Sequence, residues 1–156
     1  MPKELHYAYD LEYSHIVREI KTPVTIYASP DSAKGKYIEI DALWDTGATL
    51  SIMTPGIAKE LGLKPVDKCI VGGINDASKL SDVVIVTLSL PNGIILNGRR
   101  FSINNIPGVD ILIGMDIITM GDFVITNADG KTLFSFVIPT LNNKISFSKM
   151  INRVVR

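Results

Sequence analysis

The sequence predicts an all-β domain with one or two short helices, and three observations lead there. Along Tyr37–Trp44, Ile38, Ile40, Ala42 and Trp44 alternate with Tyr37, Glu39, Asp41 and Leu43, the period-2 signature of a half-buried strand. Farther on, Ile111-Leu112-Ile113-Gly114 is too apolar to be anything but an interior strand. Helical signals are confined to short segments, the clearest opening at Thr54-Pro55 and closing at Gly62.

Taken in order, residues 1–13 show no clear period and read as a loosely docked lead-in. Val24, Ile26 and Ala28 alternate through a first strand at 22–28, and the cluster Ser29-Pro30-Asp31-Ser32 with Gly35 turns the chain into the second. Residues 50–53 are short and apolar. Thr54 then suits a helix N-cap, Pro55 the first helical position and Gly62 the closing residue. Residues 69–74 and 82–90 read as strands around the polar, glycine-rich stretch Gly72-Gly73 to Ser78, a surface hairpin with Cys69 as a small apolar filler at its base. After the turn Pro91-Asn92-Gly93, residues 94–96 and 101–103 read as two short strands, with Arg99 and Arg100 in a solvated turn between them. Asp116 suits the cap of a short helix running toward Gly121. Two strands, 123–126 and 132–138, flank Asn127-Ala128-Asp129-Gly130, and the basic tail 144–156 allows an amphipathic helix that docks on the domain or on a second chain.

Composition narrows the function. The chain has 156 residues, of which 46% are hydrophobic and 21% charged, and residues 1–156 are expected to form a single domain with its core at roughly 22–122. Lys plus Arg and Asp plus Glu number 16 each, so no net field attracts a polyanion, and nucleic acid is not an expected partner. Cys69 is the only cysteine, which excludes an intrachain disulfide. His6 and His15 are far from Cys69 in sequence, and neither a metal nor another cofactor is expected. Residues 1–13 hold no apolar signal core and no apolar run has the length of a membrane span. A cytoplasmic setting without membrane association is therefore expected.

The residue to explain is Asp45. It leaves a strand whose apolar face is headed for the interior, in Trp44-Asp45-Thr46-Gly47-Ala48-Thr49, and a carboxylate there is costly unless its proton or its hydrogen bonds are managed. Gly47 lets the chain turn sharply at once. With Asp45-Thr46-Gly47-Ala48, the glycine-bearing hairpin and the apolar strand ending at Gly114 before Met115-Asp116-Ile117-Ile118, the chain resembles the retroviral-type (retropepsin-like) aspartic proteases. The resemblance spans roughly residues 22–122. It implies a closed β-barrel-like fold with a flap hairpin, Asp45 as the catalytic residue, and Thr46 and Gly47 as its supports. It also implies substrate contacts from Gly47, Ala48, Thr49, Gly72, Gly73 and Ile74.

Peptide hydrolysis without a metal or a protein nucleophile needs water polarised from one side while the carbonyl oxygen is protonated from the other, and two carboxyls that share one proton do both. Asp110 and Asp116 are not followed by Thr-Gly or Ser-Gly. The second carboxyl is therefore expected from a second copy, in a homodimer with the site on its two-fold axis. Its substrates are peptides or proteins. In the viral enzymes the position of Thr49 is often acidic and that of Met115 often Arg, and the two pair; both are changed here. The longer ends suggest a different way of building the dimer, or of covering the site. Three functions stay open at this stage: a homodimeric endopeptidase, a non-catalytic dimerisation or peptide-binding module of the same fold, and a protease segment that releases itself from a longer chain.

Overall fold

The computed structural model describes residues 5–72 and 77–151. Ten strands carry the architecture: β1 (Tyr7–Glu12), β2 (Ile20–Tyr27), β3 (Tyr37–Trp44), β4 (Ile52–Met53), β5 (Asp67–Val71), β6 (Lys79–Leu90), β7 (Ile94–Ile103), β8 (Ile111–Ile113), β9 (Asp122–Thr126) and β10 (Leu133–Ile138). Among the described residues there are three short helices, α1 (Pro55–Leu61) and α2 (Met115–Ile118) between strands and α3 (Phe147–Ile151) after β10.

Strands β2, β3, β8, β4, β7 and β6 are neighbours in that order. The last pairs back onto the first through Thr25↔Ser89, Ile26↔Leu88 and Tyr27↔Thr87. The result is a closed six-stranded barrel, as expected, with β5 hydrogen-bonded to the outer side of β6. Closure leaves only short stretches of strand edge unpaired within the ring. Pro23, which cannot donate to a ladder, lies where β2 has a neighbour only on the β3 side, because pairing with β6 starts at Thr25. Alternation decides which side chains fill the barrel: Ile26, Met53, Val86, Leu88, Phe101, Ile111 and Ile113 have no exposed surface.

Three expectations are corrected. Residues 7–12 are not a loose lead-in but β1, which pairs along its whole length with β10 in a second sheet of order β1-β10-β9. Arg99 and Arg100 do not sit in a turn: β7 runs unbroken from Ile94 to Ile103, with a bulge opposite it between Val86 and Leu88. Both side chains find partners from within the strand, Arg100 on Asp67 at 2.5 Å and Arg99 on the Met120 sulfur. The Arg100 hydrogen bond is the main reason that the Asp67 carboxyl is held below its ordinary range. Asp116 does not cap α2, whose N-cap is Gly114. Thr54 does stand at the N-cap of α1, but its hydroxyl donates to Asp110 instead of capping the helix. The tail does form a helix, α3, yet none of its residues is buried.

An aromatic cluster joins the second sheet to the barrel. The Trp44 ring lies 4.9 Å from Phe134 and 5.0 Å from Phe136, and Tyr9 from β1 meets Phe134 at a tilt and Phe136 edge-on. Such pairs contribute about 0.5–1.5 kcal/mol each beyond area burial. The two polar edges of the cluster converge on the fully buried Thr22, whose hydroxyl oxygen accepts from Trp44 Nε1 at 2.9 Å and from the Tyr9 hydroxyl at 3.3 Å. Trp44 is the residue before Asp45, so this packing also anchors the site.

Burial pushes the Tyr9 phenol up to about 12. A group whose folded value lies above its unfolded value of about 10 gives stability that is intact below pH 10 and is lost as pH rises toward 12. The loss approaches roughly 1.4 kcal/mol per pH unit. Tyr13, hydrogen-bonded to Lys21 and also raised by burial, adds to the same slope. Tyr9→Phe is thus expected to cost only about 0.5–1.5 kcal/mol at pH 7 and to flatten, without abolishing, the fall in stability between pH 10 and 12. Urea unfolding across that range checks it.

Candidate active site

Asp45 begins a turn that uses both of its own backbone groups and its carboxylate. Its N–H donates to the Ile113 carbonyl at 2.9 Å, extending the β3–β8 pairing by one residue. Its own carbonyl accepts from the Ala48 N–H at 3.2 Å, and its carboxylate Oδ1 accepts from the Gly47 N–H at 2.8 Å. That last bond brings the chain close: a Cβ on Gly47 would lie 3.1 Å from Asp45 Oδ1. The carboxylate is half-buried, while Thr46 and Gly47 are exposed beside it.

The second half of the loop is braced by the start of α2. Met115 N–H donates to the Ala48 carbonyl at 2.8 Å and Asp116 N–H to the Thr49 carbonyl at 3.2 Å. The Ser51 hydroxyl, fully buried, donates to Asp116 Oδ1 at 2.8 Å and accepts from the Gly114 N–H at 3.0 Å. Thr49 and Met115 thus keep their two segments together through the main chain, without the side-chain pair of the viral enzymes. Gly114 leaves no room for more: a Cβ there would lie 2.7 Å from the Leu50 carbonyl group and 2.9 Å from the Ala48 oxygen. Sequence reasoning missed Ser51 and Asp116. The available signal was Ser51 itself, one hydroxyl inside the apolar run 50–53.

A groove of about 760 Å³ opens over this loop. Asp45, Gly47, Ala48 and Thr49 form one wall, Gly72 comes from the end of the β5 hairpin, and Ile52 and Leu112 contribute apolar surface. The structure therefore brings together five of the expected site residues. Gly73 and Ile74, the other two expected substrate contacts in the hairpin, lie outside the described residues. Thr46 faces elsewhere, into a depression of about 320 Å³ that it shares with Asp45, Arg18, Phe123 and Ile125. Another depression, of about 610 Å³ and lined by Pro23, Glu39, Asp41 and Pro91, contains none of the loop. Cys69 is half-buried in β5. Among the described residues no three His, Cys, Asp or Glu side chains gather as metal ligands, and no helix is long and apolar enough to cross a membrane.

A barrel strand that delivers an Asp-Thr-Gly turn into a groove, pinned by a Gly-headed helix, is the arrangement of an aspartic protease half-site. A sequence profile described as aspartyl protease matches residues 32–117, and the chain belongs to that family. No curated protein matches it. Among solved structures it is similar to a retropepsin-like aspartic protease from Rickettsia conorii, with a TM-score of 0.52, 11% identity and coverage of 88% of this chain and 99% of that one. That likeness is one of fold. The EIAV protease complexed with an inhibitor aligns at 23% identity and a TM-score of 0.48, over 68% of this chain and 89% of that one. A retroviral protease-like domain from Leishmania major aligns at 18% identity and 0.47, over 70% and 82%.

Proposed function

We propose that the protein is a homodimeric aspartic endopeptidase whose catalytic dyad consists of one Asp45 from each subunit. The observation that carries this reading is the half-buried Asp45 carboxylate, held by Gly47 at the edge of a groove of about 760 Å³. In the dimer the two carboxyls share one proton. The ionised one removes a proton from water, and the protonated one donates to the carbonyl oxygen as water adds. Two carboxylates brought together on the axis repel each other, so they hold one proton between them, as aspartic protease dyads do. Each chain supplies a single Asp-Thr-Gly, so in this reading the second carboxyl comes from the partner.

The exposed turn fits a two-fold axis. Among the described residues Thr46 makes no side-chain hydrogen bond, and its hydroxyl is free to meet the partner's loop. Peptides bind as an extended strand between the loop 45–49 and the β5–β6 hairpin, contacting Gly47, Ala48, Thr49 and Gly72 with main-chain hydrogen bonds. Gly73 and Ile74 extend that contact in this reading, and residues 1–156 act as one domain.

Incubation of the wild-type protein with a mixed peptide library at pH 4–7, over a range of protein concentrations, tests the proposal by mass spectrometry. Cleavage is expected, with specific activity that rises with concentration as dimers form. A folded dimer that cleaves nothing would favour the binding module instead.

A further inference from the structure

The sheet β1-β10-β9 has two outer edges, and the chain treats them differently. On β1, Asn92 Nδ2 donates to the Ala8 carbonyl at 3.0 Å, and Asp10 and Glu12 put charge along the strand. Charges and caps of this kind discourage a further strand from pairing. β9 has no such guard. Its one charge, Asp122, accepts from the Leu141 N–H at 2.7 Å. Phe123, Val124, Ile125 and Thr126 follow, all of them residue types enriched in strands. Among the described residues nothing pairs with the outer edge of β9. That edge adjoins the active-site turn. Phe123 and Ile125 share a depression of about 320 Å³ with Asp45 and Thr46, and Trp44 and Phe134 add to its apolar wall. Ile125 is 40% exposed there.

We propose that β9 is the dimer strand: the β9 edges of two copies pair antiparallel across the two-fold axis, joining their sheets into one and seating each Thr46 turn against the other copy. The inference rests on the homodimer reading and names the surface that builds it. A second copy is the occupant because the edge is self-complementary, as an isologous contact requires. With Val124 on the axis, Phe123 of one copy faces Ile125 of the other, an aromatic and a β-branched residue that stabilise a cross-strand pair. Asp122 faces Thr126, so no like charges meet. Pairing satisfies the outer main-chain groups of both edges, and the depression beside each turn is covered. β1 and β10 stay paired within their own copy, so the contact needs no exchange of chain ends. A contact this close to Asp45 also brings the two carboxyls toward one axis, which an interface elsewhere on the barrel does not.

Sedimentation of wild type and Val124→Lys over a range of concentrations, with cleavage assayed on the same samples, tests the proposal. Two like charges would meet on the axis, and the dimer dissociation constant is expected to rise at least about tenfold. Cleavage falls at low concentration and recovers as protein is added. The same charge on the guarded edge, Ala8→Lys, leaves both unchanged. A dimer that Val124→Lys does not weaken, or that Ala8→Lys weakens as much, overturns the interface. Should Val124→Lys fail to fold, Val124→Cys in a Cys69→Ser background decides. Residues directly opposite in an antiparallel pair have Cα atoms about 4.5–5.5 Å apart, within disulfide reach. Mild oxidation is therefore expected to link two copies, and no link overturns the interface. A link or a weakened dimer in a protein that cleaves nothing supports the interface and overturns catalysis. A wild type that is monomeric at every concentration overturns both the interface and the shared dyad.

Discussion

Asp45→Asn is expected to lower peptide cleavage at least about 10³-fold, since one general acid or base is worth roughly 10²–10⁴ and the substitution enters both halves of the dimer. The change is nearly isosteric. An asparagine oxygen still accepts from the Gly47 N–H that Oδ1 now takes at 2.8 Å, and no bond to Ile113 or Ala48 involves the side chain. The thermal midpoint is therefore expected within about 3 °C of wild type, a difference below roughly 1 kcal/mol for a chain of this size. Activity assays and calorimetry on the same samples check both halves. An equal loss of folding would shift the explanation from chemistry to structure.

Gly114→Ala is expected to be the most damaging single methyl group that can be added near the site. The new Cβ would lie 2.7 Å from the Leu50 carbonyl group and 2.9 Å from the Ala48 oxygen. Those atoms are backbone, and they are not free to retreat. Met115 N–H holds the Ala48 carbonyl, and Ser51 holds Gly114 itself. Overpacking of this kind costs about 1–3 kcal/mol or more, a fall of roughly 3–12 °C in midpoint for a chain of this length. Because the displaced atoms belong to the Asp45 loop, activity falls further than stability does. A shift of about 1 Å at a catalytic group can cost 10²-fold. Gly56→Ala is the control: its added Cβ meets nothing within 4 Å, so stability holds or rises by about 0.5–1 kcal/mol in a helix. Thermal melts of the two variants beside wild type decide the matter.

These expectations draw on parts of the molecule that were unequally legible in the sequence. The Asp45 loop was plain, because a strand with strict alternation ends in a carboxylate and a glycine, and local pattern is all such a motif needs. The interior strand at Ile111–Ile113 was plain for a similar reason. β1 was not. Tyr7, Tyr9 and Leu11 do alternate with Ala8, Asp10 and Glu12, but only Tyr9 of the six is buried, and the pairing with β10 joins residues more than a hundred positions apart. Arg99 and Arg100 were misread because charge alone suggested a turn, whereas an outward-facing strand position accommodates a long cation whose head reaches Asp67 or Met120. Barrel closure rests on three residue pairs between β2 and β6, a contact that no local signal marks. Ser51 and Asp116 act through partners distant in sequence, and a lone polar residue in an apolar stretch does not name its partner.

The central claim is that each active site needs an aspartate from both chains, and a mixing experiment addresses it most directly. Wild type and Asp45→Asn are combined at equal concentration, allowed to exchange subunits, and assayed at constant total protein. If both carboxyls are required, only wild-type pairs work, and random pairing in a two-fold dimer leaves about a quarter of the activity of an all-wild-type sample. Retention of about half, in proportion to the wild-type chain present, would mean that each chain acts alone and would contradict the shared dyad.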